Sequence, residues 1–254
     1  MQFAICTVAA APVRKEPSHR TEMINQLLFG ETMEVVQQQE EWYQVRSLYD
    51  GYEGWLTWHM ITEINETIIQ SDKGYVASSL TNPVTATDQL INAPMASSLT
   101  GFDKETRLLW DEQLKYHGTY RKAGQLFDWD AFRKILHAWM NAPYLWGGRT
   151  YMGVDCSGFV QNVFKVMGVK LKRDAYQQAE QGSTIESLDS ATCGDLAFFH
   201  NKDGKIIHVG ILLNAQQIIH ASGKVRIDTI NKQGIFNREA NRKTHELHSI
   251  RRVI

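Results

Sequence analysis

Three cysteines in 254 residues, at positions 6, 156 and 193, are too few and too irregularly spaced for a disulfide framework. No Cys-x-x-Cys and no His-Glu-x-x-His occurs, so a zinc site lacks its ligand spacing, and neither a metal nor any other cofactor is expected. Gly-x-Gly-x-x-Gly and a P-loop lysine are missing as well, which leaves nothing to cradle a phosphate. A formal net charge of -1 supplies no global attraction to nucleic acid, so no polyanionic partner is expected. No apolar run approaches the roughly 20 residues of a membrane span, so no membrane partner is expected either. The apolar start Phe3–Ala11 has no positive charge ahead of it and runs on into Pro12-Val-Arg-Lys-Glu16, so it reads as a first strand rather than a signal peptide. On that reading the expected location is the cytoplasm; an export signal removed ahead of Met1 would shift it to the periplasm or the exterior. What remains, 43% hydrophobic and 22% charged residues, is the composition of a globular protein that folds without staples.

The most informative segment is Tyr144-Leu-Trp-Gly-Gly-Arg149 followed by Gly153-Val-Asp-Cys-Ser-Gly-Phe-Val160, which sets Cys156 where a glycine-rich loop turns into a helix. Unpaired amides and the positive end of the helix dipole favour a thiolate there, which makes Cys156 a candidate nucleophile. A base is supplied by Lys205–Leu213 and Gln217–Gly223, two β-branched runs bordered by turn residues that read as successive antiparallel strands. They carry His208 and His220. In a Cys-His-polar unit His208 would take the thiol proton and His220 would bond the far nitrogen of its ring. Cys6 and Cys193 read as small buried hydrophobes, and Asp195 as a turn-holding residue. His19, His59, His117, His137, His200, His245 and His248 have no comparable setting and read as surface or local structural groups.

These segments resemble the NlpC/P60 cysteine peptidases, through Asp155-Cys-Ser-Gly158, Gly194-Asp-Leu-Ala-Phe-Phe199, His208-Val-Gly-Ile211 and His220-Ala-Ser-Gly223 in that order. The resemblance implies Cys156 as nucleophile, His208 as general base and His220 as orienting residue of an enzyme that cleaves cell-wall peptides. It is similar in particular to the subgroup with two N-terminal SH3-like domains that acts as γ-D-glutamyl-L-diamino acid endopeptidases on free murein peptides. That subgroup holds a free L-Ala amine with acidic and tyrosyl groups, which implies Tyr144, Asp155 and Ser157, with Asp174 as a further candidate. In its first SH3-like domain, which narrows the cleft, Glu31 and Tyr52 are the candidates.

Residues 1–64 read as a small β-barrel, with strand and turn signals at Leu28-Phe-Gly-Glu31, Trp42-Tyr-Gln-Val45 and Gly54-Trp-Leu56 that resemble a bacterial SH3 domain. Residues 65–122 carry a poorer signal and, by the same resemblance, form a divergent second SH3-like domain. From 123 to 254 the chain reads as the catalytic domain. It opens with an amphipathic helix through Trp129, Phe132, Ile135, Leu136, Trp139 and Met140, capped by Asp128 or Asp130 and stopped before Pro143. Its apolar stripe is a core face. The nucleophile helix ends near Gly168, a polar helix or loop spans Arg173 to Gly182, and the histidine strands follow. The expected class is therefore α+β: a papain-like domain with helices against an antiparallel sheet, behind two small barrels. Two other readings stay open, a peptidoglycan-binding SH3-like protein with a vestigial catalytic domain and, on the same thiol fold, an amidase acting on intact wall or a lipid acyltransferase.

Overall fold

A computed structural model of the chain describes residues 2–254 except Thr87, Asp88, Lys104, Thr106, Leu109 and Arg238, and all described side chains but that of Glu112. The first unit holds strands β1 (Phe3–Cys6), β2 (Ala10–Arg14), β3 (Met23–Leu28), β4 (Thr32–Gln39), β5 (Trp42–Ser47), β6 (Glu53–Thr57) and β7 (Ile61–Ile64), in the order β3-β2-β6-β5-β4-β1-β7. Here Phe3–Ala11 departs from the single strand expected. It breaks at Thr7–Ala9 because β1 pairs with β4 and β7 while β2 pairs with β3 and β6 in another part of the sheet. Inward residues of these strands, among them Ala4, Cys6, Val13, Leu27, Met33, Val45 and Leu56, make one apolar core. Burial in that core pushes the Cys6 thiol up to about 12, so it is an inert packing residue.

After a short helix α1 (Glu66–Gln70), the second unit places β8 (Tyr75–Ala77), β9 (Thr81–Ala86), β10 (Gln89–Pro94), β11 (Arg107–Leu108), β12 (Asp111–Tyr116) and β13 (Tyr120–Lys122) in a four-stranded sheet, β10-β9-β12-β11, and a β13-β8 ribbon.

The third unit begins with α2 (Trp129–Ala138), whose start is capped by Asp128 accepting from the amides of Asp130 and Ala131. A hairpin, β14 (Arg149–Thr150) and β15 (Gly153–Val154), leads to α3 (Cys156–Val166) and then α4 (Ala175–Gln178). The strands that follow are β16 (Ser183–Ile185), β17 (Leu196–His200), β18 (Ile206–Asn214), β19 (Gln217–Ser222), β20 (Lys224–Asn231), β21 (Gly234–Asn237) and β22 (Arg242–Arg252). They pair in the order β16-β22-β17-β18-β19-β20-β21, and β21 pairs back to β22, so six strands close into a barrel. Alternation along each strand divides the side chains into two sets. Leu196, Phe198, Val209, Ile211, Ile219 and Ala221 face α2 and α3, while Ala197, Phe199, Leu212, Ile218, Ile230 and Ile235 fill the barrel.

The three units share cores. Leu28 enters the core of the third unit and the next residue, Phe29, enters that of the second. Glu31 lies at the junction, fully buried, and this corrects its expected place in the cleft. Its Oε1 accepts from Arg149 Nη2 at 2.9 Å and Lys165 Nζ at 2.6 Å, and its Oε2 from Arg149 Nη1 at 2.8 Å and the Leu28 amide at 3.0 Å. Lys165 also donates to Ser98 of the second unit at 2.9 Å, so one carboxylate ties three units together. Burial alone would raise the Glu31 carboxyl, but Arg149 and Lys165 outweigh it and hold it at about 2. Because that value lies below the ordinary 4.5, the contribution to stability is complete above pH 4.5 and is lost as pH falls toward 2. Glu31→Gln should cost about 3–5 kcal/mol in urea unfolding, since two buried cations lose their counter-charge. Stability within 1 kcal/mol of the parent, on the same approximate scale, would contradict this assignment.

Candidate active site

The loop before α3 is shaped by Asp155, the helix N-cap. Its Oδ1 accepts from the Gly158 amide at 2.7 Å and its Oδ2 from the Gly147 amide at 2.9 Å. Gly147 has φ +74°, and a Cβ there would meet the Met23 carbonyl oxygen of the first unit at 2.5 Å, so only glycine fits. Arg173 grips the same carboxylate through Nη2 at 2.6 Å and Nη1 at 3.0 Å, and also donates to Ser157 Oγ at 2.9 Å and Asn25 Oδ1 at 2.6 Å. With Ser157 Oγ donating at 3.3 Å as well, five donors meet Asp155. Its first task is to hold the start of α3.

Cys156 follows at the first position of that helix, only 5% exposed, on a cavity of about 700 Å³. Burial pushes its thiol up to about 12 and the Asp155 carboxylate acts in the same direction, against the Val209 and Ser157 amides and Arg173. The thiolate expected from the helix end is therefore not the resting form. Burial also holds the His208 imidazolium well below its ordinary 6.5, with His220 and His245 adding to it. The site rests as a neutral thiol beside a neutral imidazole, and a base must take the proton during attack.

His208 on β18 and His220 on β19 share the inward alternation that fills the barrel. Gly210 lies directly opposite His220, and a Cβ at Gly210 would come within 2.8 Å of the His220 Cβ, so the missing side chain lets the rings approach. His208 Nε2 and His220 Nδ1 are 2.8 Å apart. Among the described residues no hydrogen bond engages His208 Nδ1, and the sulfur contacts the amide of the next residue, Val209. His245 of β22 stacks on the His208 ring with centroids 4.2 Å apart, and burial keeps it neutral with a pKa of about 4. The reading of His245 as a surface or local group is thus corrected: it covers one face of the base. Behind His220, its Nε2 meets Asp228 Oδ2 at 3.1 Å.

The cavity is walled by Lys15, Glu22, Ile24 and Tyr52 of the first unit and by Trp146, Asp155, Cys156, Ser157, Asp174, Tyr176 and Ile207 of the third. Of the expected binding residues, Tyr52, Asp155, Ser157 and Asp174 line it. Tyr144 is half-buried beside Cys156 and Asp155, and Glu31 does not reach it. The Tyr52 phenol bonds the Asp174 carboxyl, which burial raises above its ordinary value. Glu22 is the acidic wall residue from the first unit, and its Oε1 accepts from Trp146 Nε1 at 2.7 Å. Sequence reasoning missed Glu22, Arg173, Asp228 and His245. Of these only Asp228 carried a signal, an acidic residue on the strand after His220 and even-numbered like it. Among the described residues no group of three or more His, Cys, Asp or Glu side chains is arranged to hold a metal ion.

Residues 141–242 match the NlpC/P60 family, and residues 13–59 match the bacterial dipeptidyl-peptidase SH3 domain. The chain carries an NlpC/P60 peptidase domain behind a bacterial SH3 domain. Cys156, His208, His220 and Asp228 all lie inside the NlpC/P60 match, whereas Tyr52 belongs to the SH3 domain. The chain is 27% identical over 211 residues to a γ-D-glutamyl-L-lysine dipeptidyl-peptidase of Bacillus subtilis, covering 77% of this chain and 71% of that protein. It is 26% identical over 259 residues to dipeptidyl-peptidase 6 of Lysinibacillus sphaericus, covering 91% and 92%. A crystal structure of an NlpC/P60 family protein from Bacillus cereus superposes with a TM-score of 0.78 over 99% of both chains, at 18% identity, a likeness of fold.

The neutral resting state of the NlpC/P60 thiol is open to a direct check. Iodoacetamide labelling of Cys156, followed by peptide mass so that Cys6 and Cys193 are counted separately, should be slow at pH 7 and still rising at pH 9. A rate plateau below pH 6 would reveal a preformed thiolate.

Proposed function

We propose that this protein is a cysteine peptidase that hydrolyses the γ-D-glutamyl–diamino acid bond of murein peptides bearing a free N-terminal L-Ala, working in the cytoplasm on peptides released from the cell wall. The observation that carries the reading is the cavity itself: Cys156 lies on it, and the SH3 domain forms its opposite wall with Lys15, Glu22, Ile24 and Tyr52. Such a wall suits the end of a short peptide better than the middle of a long strand. In this reading Asp174, half-buried beside the Tyr52 phenol, and the exposed Glu22 pair with the ammonium, and the partial desolvation of Asp174 makes its charge pair stronger than one at an open surface. Resemblance to proteins named for γ-D-glutamyl-L-lysine dipeptidyl-peptidase activity supports the same substrate class.

In this reading His208 Nδ1 takes the thiol proton as Cys156 Sγ attacks the γ-carbonyl carbon of D-Glu. The Cys156 amide, at the first position of α3, donates to the oxyanion. The imidazolium then gives its proton to the departing diamino acid amine as the C–N bond breaks and the thioester remains. Water, losing a proton to His208, attacks that carbonyl, releases L-Ala-D-Glu and leaves the thiol protonated again. Stacking by His245 and the bond to His220 hold the ring in place through both transfers.

Incubation with L-Ala-γ-D-Glu-L-Lys, or its diaminopimelate counterpart, should release the dipeptide by mass, while the N-acetylated peptide stays intact. Cys156→Ala should abolish turnover and keep the fold. Asp174→Asn should raise KM about 10-fold or more with a smaller effect on kcat, the loss of one charge-assisted contact. Equal cleavage of the acetylated peptide would overturn the amine-recognition reading, and an active Cys156→Ala protein would overturn the enzyme.

A further inference from the structure

Asp228 on β20 is a carboxylate sealed from solvent, 2% exposed, with more partners than burial alone requires. Arg226 forks onto it, Nε to Oδ2 at 2.8 Å and Nη2 to Oδ1 at 3.1 Å, and is itself held by Glu239 at 2.9 Å. That fork already satisfies both oxygens. Oδ2 nevertheless accepts a further contact from His220 Nε2. The register makes this contact possible: Arg226 lies directly across from His220, and Asp228, two residues on, points to the same face.

We propose that Asp228 is a positioning residue that sets the tautomers of both histidines and so turns the basic nitrogen of His208 toward the sulfur. A carboxylate only accepts, so His220 must carry its proton on Nε2 and leave Nδ1 bare. Bare Nδ1 only accepts, so the 2.8 Å contact requires the proton of His208 on Nε2. His208 Nδ1 is then the lone pair, and it is the ring nitrogen that makes no hydrogen bond among the described residues. One negative charge two rings away thereby fixes which nitrogen can act as base. Burial would raise the Asp228 carboxyl, but the contacts from His220 and Arg226 hold it below its ordinary value, so it keeps that charge at neutral pH. The charged and titratable groups facing the two rings are His245 from β22, Asp228 and Arg226 from β20 and Cys156 from α3. His245, at about 4, does not change charge near neutrality.

The catalytic part of this inference rests on the proposed peptidase reading, while the tautomers can be read without substrate. In protein labelled with 15N-histidine, long-range 1H–15N correlation spectra at pH 7.5 should show His208 and His220 both protonated on Nε2. Asp228→Ala should mix the tautomers, lower kcat by about 10- to 100-fold with KM nearly unchanged, and move the acid limb of kcat/KM to lower pH. Asp228→Asn keeps the shape of the side chain and should give the same direction of change if the alanine protein folds poorly. Nδ1-protonated His208 in the parent protein would overturn the proposal, as would parental tautomers and kcat in a folded variant. Correct tautomers in a protein that cleaves no murein peptide would uphold the relay and sink the peptidase reading instead.

Discussion

One buried carboxylate carries the architecture. Glu31 faces two cations, Arg149 and Lys165, in a place where none of the three has water to fall back on. Such a group costs several kcal/mol per ion to desolvate, so it is tolerated only when all its partners are present together. Both cations flank the nucleophile: Arg149 sits in the hairpin before α3, and Lys165 stands on α3 itself. Gln161 on the same helix donates to Asp50 of the SH3 domain at 2.8 Å, and Arg173, which grips the N-cap Asp155, also donates to Asn25. The SH3 domain is therefore part of the support of Cys156 as well as a wall of its cavity.

The chemistry of the site is decided by which of two opposing effects is larger. A helix end and its dipole favour a thiolate by about 0.3–2 kcal/mol. Burial and Asp155 move the thiol from 9.0 to about 12, which disfavours the same thiolate by roughly 4 kcal/mol. Burial wins, and the base has to act in the transition state. That requires a correctly protonated His208, which the barrel supplies by keeping His208, His220 and Asp228 out of bulk water. The same low polarity that suppresses ionisation strengthens each hydrogen bond of the relay.

Local motifs made much of the catalytic unit legible. Asp155-Cys-Ser-Gly158 announces a capped helix start, and two β-branched runs around His208 and His220 announce a hairpin, because both depend on contacts within a few residues. The closed barrel was not legible. Its closure depends on β22, the last strand, returning past the intervening strands to pair with β17, a long-range contact that a strand pattern alone does not encode, and His245 owes its place over His208 to that return. Glu31 illustrates the opposite error: an acidic residue at a turn has the same sequence signature whether it faces a cleft or a buried Arg149, and Glu22 took the cleft position instead.

The sequence by itself determined the reactive residue types, their order and the elements that carry them, since capping, alternation and turn chemistry are short-range effects. Tertiary structure alone decided the protonation of Cys156, the carboxylate behind His220 and the acidic group that walls the cavity. Those depend on desolvation and on charges brought together from positions as far apart as Glu31 and Lys165, and neither quantity exists until the chain has folded.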